Sequence, residues 1–239
     1  AHTPASAFGS CRFKLDTNNQ TQMQRIIDVL KVHNIGYFLY NGGNDSQDTT
    51  HKIAHISKQM GYPLQCIGIP KTVDNDLACT DCCPGFGSVA KYIAVSTMEA
   101  SLDVASMSAT STKVFILEVM GRHAGWITAA AGLAAQTERN GPHILLFPEV
   151  AFDQGRFLQK VQQCVQDYGY CVVVASEGVR TQDGTFLSAA NNTDAFGHQQ
   201  LGGVAPILAN MVTTQLTFKT HWAVADYLQR SARHLASQT

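Results

Sequence analysis

Apolar positions in residues 20–33 fall at Met23, Ile26, Ile27 and Leu30, the i, i+3, i+4, i+7 stripe of a helix that turns one face to a core. Gly36 ends that run, and Tyr37-Phe38-Leu39-Tyr40 follows as a short apolar strand. Gly42-Gly43 breaks the strand, and residues 46–60 return to a helical period with Ile53, Ile56 and Met60 on one face. Residues 64–69 form a second strand, stopped by Pro70. The alternation continues with a helix over 86–106, a strand over 114–119, a helix of small residues over 124–135 and a strand over 144–147. A helix over 156–167, a buried strand over 170–175, a helix over 203–216 and a last strand near Trp222 complete it. Continuous apolar strands separated by helices predict an α/β fold on parallel sheets covered on both faces.

Composition narrows the function. The 239 residues allow one large domain or two small ones. Lys plus Arg is 17 and Asp plus Glu is 18, a net charge of −1, which excludes a broad basic footprint for nucleic acid and a polybasic membrane anchor. Charged residues make up 15% against about 25% in an average soluble domain. Much of the chain is therefore expected to be buried, in its own core or against other copies. The seven cysteines are odd in number, lack a zinc-ribbon pattern and include the adjacent pair Cys82-Cys83, so reduced thiols in a cytoplasmic protein are expected. No apolar run approaches the ~18 residues of a membrane span. Residues 1–10 have neither the basic start nor the apolar core of a signal peptide. Without an initiating Met, the chain reads as a piece of something longer or a processed chain.

Ligands of open parallel sheets bind beyond the carboxyl ends of the strands. Five such ends carry polar or glycine clusters: Asn41-Gly42-Gly43-Asn44-Asp45-Ser46, Pro70-Lys71-Thr72-Val73-Asp74-Asn75-Asp76, Met120-Gly121-Arg122-His123, Pro148-Glu149 and Ser176-Glu177-Gly178. Two glycines let backbone approach a ligand, and the helix start near Ser46 favours an anion. Together with a Lys, three Asp and an Arg, this inventory suits phosphoryl transfer, which asks a protein to position phosphates, neutralise their charge and offer a base. Asp74 is the natural base, and Lys71 and Arg122 are placed to hold phosphate oxygens. Gly85-Phe86-Gly87-Ser88-Val89-Ala90 fits a dinucleotide pattern, but it follows a loop rather than a strand.

Gly-Gly-Asn-Asp-Ser (42–46), Pro-Lys-Thr-Val-Asp-Asn-Asp (70–76), Met-Gly-Arg (120–122), Pro-Glu (148–149), Ser-Glu-Gly (176–178) and Tyr-Leu-Gln-Arg (227–230) occur in an order that resembles the 6-phosphofructokinases. The resemblance runs from Gly9-Ser10-Cys11-Arg12-Phe13 to the C-terminus. It implies two Rossmann-like lobes, residues 1–85 plus 230–239 on the phosphoryl-donor side and 86–229 on the fructose 6-phosphate side. It also implies that the family's first strand and glycine-rich phosphate loop precede Arg12 and are missing here. Asp74 then looks like the base for the sugar 1-hydroxyl, with Lys71, Thr72 and Asp76 beside the transferring group. Met120, Gly121, Arg122 and Glu177 look like sugar-phosphate contacts, with Tyr227 and Arg230 closing that pocket. Arg12, Gly43, Asn44, Asp45 and Ser46 resemble the donor side.

The donor reads as pyrophosphate. ATP-using members usually carry Gly where this chain has Asp45 and Lys71, and the pyrophosphate-using members resemble it at both places. An Asp side chain at 45 crowds and repels a nucleotide α-phosphate, while Lys71 offers a cation to a bare diphosphate. Asn44 stands where the family usually has a magnesium-binding Asp, which leaves Mg2+ to Asp45, Asp76 and the phosphates. Lys113 and His221 fall where many relatives carry Arg residues that reach a neighbouring subunit's sugar phosphate, so a homo-oligomer, dimer or tetramer, is implied. The alternatives are an ATP-dependent 6-phosphofructokinase and a non-catalytic subunit that binds sugar phosphate.

Overall fold

Asn19 opens the first helix by accepting a hydrogen bond from the Gln22 amide at 3.0 Å. The computed structural model describes residues 11, 13–137, 139–193, 199–201 and 203–231. Helix α1 (Gln20–Val32) buries Met23, Ile27 and Leu30, the positions set by its stripe. Strand β1 (Tyr37–Gly42), helix α2 (Asn44–Gln59) and strand β2 (Gln65–Pro70) follow. The two strands pair in parallel from Tyr37–Gln65 to Gly42–Pro70. Phe38 and Cys66 face Met23, Ile27, Leu30, Ile53 and Ile56, so α1 and α2 share one side of this small sheet. On the other side Tyr37, Leu39, Ile67 and Ile69 are exposed. Cover on both faces, expected from the apolar runs, is therefore corrected for this sheet: the described helices serve only one of its faces.

The remaining chain builds a larger sheet. Helix α3 (Phe86–Met107), strand β3 (Val114–Val119), helix α4 (Trp126–Ala131), strand β4 (Ile144–Leu146), helix α5 (Gln154–Tyr168) and strand β5 (Cys171–Ser176) come first. Strands β6 (Ala189–Thr193) and β7 (Gln199–Leu201), helix α6 (Val204–Leu216), strand β8 (Thr220–Val224) and helix α7 (Leu228–Ser231) complete it. The sheet order is β4-β5-β3-β8 and each pairing in it is parallel. Every residue of β5 is buried. On one face Phe157, Leu158 and Val161 of α5 pack with Leu208 and Val212 of α6. On the other, Val89 and Ile93 of α3 pack with Ile127 and Ala131 of α4. Here the predicted two-sided cover holds, and with the mainly parallel sheets it makes the fold α/β.

Several elements differ from the reading of the pattern, among them the short helix α7, which it did not include. The helix over 124–135 is shorter, with a 3-10 turn (Gly132–Ala134) continuing α4. The antiparallel pair β6–β7 was not expected, because its residues (AANNT and QQL) show no apolar alternation.

Candidate active site

The site is assembled from the carboxyl ends of β1, β2, β3 and β5. Gly43 is the N-cap of α2, with extended backbone, and its carbonyl accepts from the Ser46 and Gln47 amides at 3.0 and 3.1 Å. The helix thus starts at Asn44, ahead of the predicted start near Ser46, and exposed Asp45 lies in its first turn. Ser46 packs against Gly42, where an added Cβ would come within 2.0 Å of the Ser46 Oγ; only glycine fits. The Lys71 amide donates to the Gly42 carbonyl at 2.9 Å, which sets exposed Lys71 beside the glycine loop.

The loop after β2 is held by its own side chains. Thr72 Oγ1 accepts from the Asp74 amide at 3.2 Å. Asn75, in the left-handed region with φ +55, buries its amide against residues 81–83. Asn44 Nδ2 donates to Asp76 Oδ2 at 3.0 Å, joining the loops after β1 and β2, and Asp76 Oδ1 is buried without a partner. Burial, and then the neighbouring Asp76 carboxylate, lift Asp74 from 3.8 to about 6, against the pull of Arg122, Arg230 and Lys71. A carboxyl poised near neutrality and surrounded by three cations can take a proton from a hydroxyl next to phosphate groups.

The loops after β3 and β5 are locked together. Ser176 Oγ donates to the Gly121 carbonyl and accepts from the Gly178 amide. Gly121 has φ +124. A Cβ on Gly178 would lie 2.0 Å from the Arg122 carbonyl oxygen, so these two backbones touch. The Glu177 amide donates to the Val119 carbonyl at 2.9 Å. Burial pushes the Glu177 carboxyl up, Arg122 opposes it, and Asp74 and Glu118 add to the rise. The Met120 amide donates to the Gln229 side chain at 3.4 Å, bringing the segment 227–230 against this loop. The Arg230 guanidinium lies over the Tyr227 ring, 4.4 Å from its centre.

Lys71, Thr72, Asp74, Asp76, Gly43, Asn44, Asp45, Ser46, Met120, Gly121, Arg122, Glu177, Tyr227 and Arg230 thus belong to one group of adjoining loops. Lys113 and His221 do not. Lys113 precedes β3 and donates to the Ser108 carbonyl, while exposed His221 pairs with Phe115 near the start of the strand. The six residues of β3 put about 20 Å between that end and Arg122. Arg12 lies outside the described residues. Among the described residues, no three His, Cys, Asp or Glu side chains converge as metal ligands.

One residue of importance escaped the motifs. Glu118 is 5% exposed next to the carboxyl end of β3, and its Oε2 accepts from the Ala205 amide at 2.8 Å at the start of α6. Burial raises its pKa, against the backbone hydrogen bonds it accepts. A carboxylate inside an otherwise apolar strand was the available signal.

Comparison with known proteins agrees with this geometry. The family model described as "Phosphofructokinase" matches residues 1–236. The chain is 63% identical over 240 residues to a pyrophosphate–fructose 6-phosphate 1-phosphotransferase of Halomonas elongata, covering 100% of this chain and 57% of that protein. A protein of the same name from Methylococcus capsulatus is 59% identical over 240 residues, with 100% and 57% covered. The crystal structure of a pyrophosphate-dependent phosphofructokinase from Marinobacter aquaeolei superposes with a TM-score of 0.83 at 60% identity, covering 99% of this chain and 54% of that one. The chain spans somewhat more than half the length of these relatives.

Proposed function

The chain belongs to the phosphofructokinase family, and on that premise we propose that it carries the site for phosphoryl transfer from pyrophosphate to the 1-hydroxyl of fructose 6-phosphate. The products are fructose 1,6-bisphosphate and phosphate, and the reaction is reversible. The observation that carries this reading is Asp74, a half-buried carboxyl lifted to about 6 among Arg122, Arg230 and Lys71. Asp74 takes the proton of the attacking hydroxyl. Arg122 and Arg230, with Tyr227 stacked on the latter, bind and orient the sugar phosphate together with Met120, Gly121 and Glu177. Lys71 and the first turn of α2 meet the donor, with Thr72 beside the transferring group.

Pyrophosphate is favoured over ATP by the side chains at 45 and 71. Asp45 in the first turn of α2 repels a further phosphate, and Lys71 supplies the cation that a bare diphosphate needs. Asp76 fits Mg2+, since one of its oxygens is held by Asn44 and the other is buried without a partner. Mg2+ keeps most of its shell from water and substrate phosphates, so one or two carboxylates suffice. When bound there it would neutralise charge on the transferring group.

Lys113 and His221 lie at the far end of β3 and β8, so they reach a sugar phosphate only as contributions to a second copy, which supports a homo-oligomer. The lobes are assigned as residues 1–85 with 230–239, and residues 86–229. The deciding experiment supplies the full-length enzyme with fructose 6-phosphate and either pyrophosphate or ATP. Turnover with pyrophosphate is expected, and a preference for ATP would overturn the donor assignment.

A further inference from the structure

Strand β4 is followed by Phe147-Pro148-Glu149, and the Pro148-Glu149 motif has no part in the transfer chemistry set out above. Its carboxylate reaches a different loop. Glu149 Oε1 accepts from the Gly125 amide at 2.7 Å, at the N-cap of α4. Only glycine allows this approach: a Cβ at 125 would lie 2.6 Å from the Phe147 ring, 2.8 Å from Glu149 Oε2 and 3.1 Å from Pro148. Gly125 has no side chain with which to cap the helix, and a carboxylate from another strand end satisfies its amide as the Glu of a capping box would.

The loop that Glu149 holds is the one that carries Arg122. Residues 121–125 join β3 to α4. At their other end Ser176 Oγ donates to the Gly121 carbonyl, and the Gly178 backbone lies against the Arg122 carbonyl. A Cβ on Gly121 would come within 2.5 Å of the Ala124 carbonyl oxygen, so the loop folds back on itself and a displacement at 125 passes to 121. The charge of Arg122 is felt by both Asp74 and Glu177, which places its guanidinium on the side of the site. Arg122 thus projects from a turn that is pinned before and after it.

We propose that Glu149 is a positioning residue for the sugar-phosphate side of the site: by holding the Gly125 amide it fixes the turn from which Arg122 reaches fructose 6-phosphate. This rests on the role given to Arg122 above. Glu149 acts through backbone, and the donor side is built on other loops, those after β1 and β2. Its effect is therefore confined to the sugar.

The test compares wild type with Glu149→Ala, Glu149→Gln and Glu149→Asp in the full-length enzyme, by steady-state kinetics in each substrate and by melting curves. Glu149→Ala should raise KM for fructose 6-phosphate roughly tenfold and leave KM for pyrophosphate within about twofold. Glu149→Gln keeps an acceptor oxygen at the same reach and should recover most of the loss. Glu149→Asp keeps the charge but is one methylene shorter, and should raise the same KM. Glu149 is exposed, so none of these changes opens a cavity and Tm should change little. An unchanged KM for fructose 6-phosphate in Glu149→Ala, a parallel rise of both KM values, or a Gln variant as impaired as the Ala variant would overturn the proposal. Failure of the functional reading looks different: wild type would not turn over fructose 6-phosphate with pyrophosphate. Hydrogen exchange of the Gly125 amide, faster in Glu149→Ala than in wild type, would still decide whether Glu149 holds the loop.

Discussion

Asp74→Asn separates what the base does for the reaction from what it does to the fold. The Asp74 carboxyl rises from 3.8 to about 6. At about 1.4 kcal/mol per pKa unit, the folded protein therefore disfavours the ionised form by on the order of 3 kcal/mol. Because the folded state holds the proton more tightly than the unfolded state, this stability is fully present below about pH 4 and is lost as pH rises through about 6. Asparagine keeps the shape without the charge. At pH 8 the variant should melt higher than wild type by several degrees, the gap should narrow below pH 6, and the two should coincide near pH 4. The same substitution should cost at least roughly 10²-fold in turnover while sugar-phosphate binding persists. Melting curves of the full-length enzyme at three pH values, alongside phosphate release, read both effects. An advantage equal at every pH, or a less stable variant at pH 8, refutes the charge argument. A turnover loss below tenfold means another group takes the proton.

Gly178→Ala forces a methyl group to within 2.0 Å of the Arg122 carbonyl oxygen, so KM for fructose 6-phosphate should rise by roughly tenfold in steady-state kinetics; an unchanged KM would separate this contact from the sugar site. Glu118→Ala leaves the first amides of α6 without their acceptor and should lower stability by about 1–3 kcal/mol, seen as a drop in Tm, and an unchanged Tm counts against the cap. Lys71→Gly should weaken pyrophosphate use in a donor assay, and adding Asp45→Gly should admit some ATP. Wild-type preference for ATP would remove the basis of that pair.

The fold was legible wherever burial and period coincide. Val114–Val119 is the strand its apolar run predicts, because both of its faces are covered. Met23, Ile27 and Leu30 are buried for the same reason. The β6–β7 pair was not legible, since strands of Ala, Asn, Gln and Thr with a single Leu carry no hydrophobic period. At the site, ordered motifs at strand ends located the loops but not their fastening. Ser176 bridging Gly121 and Gly178 depends on two loops 55 residues apart, which no local pattern encodes. The tie from the Asn75 side chain to Asp81 and Cys83 was not legible either, because it is made through space between two turns.

The bare face of the small sheet bears on how its strands find their alignment. Period-two burial normally makes a one-residue slip costly, because it turns apolar side chains outward. In β1 and β2 that penalty is weak: Leu39, Ile67 and Ile69 already point away from the core, and a slip would merely exchange one apolar set for another. The discrimination lies in Gly42. A side chain at 42 would strike the Ser46 Oγ and Cβ at 2.0 and 2.5 Å, so Asn41 cannot take the place of Gly42 against α2, whereas one at 68 would only push aside the end of the flexible Gln47 side chain. Alignment here is specified by where bulk is forbidden, and the residue that forbids it, Ser46, belongs to the helix that begins at the glycine loop.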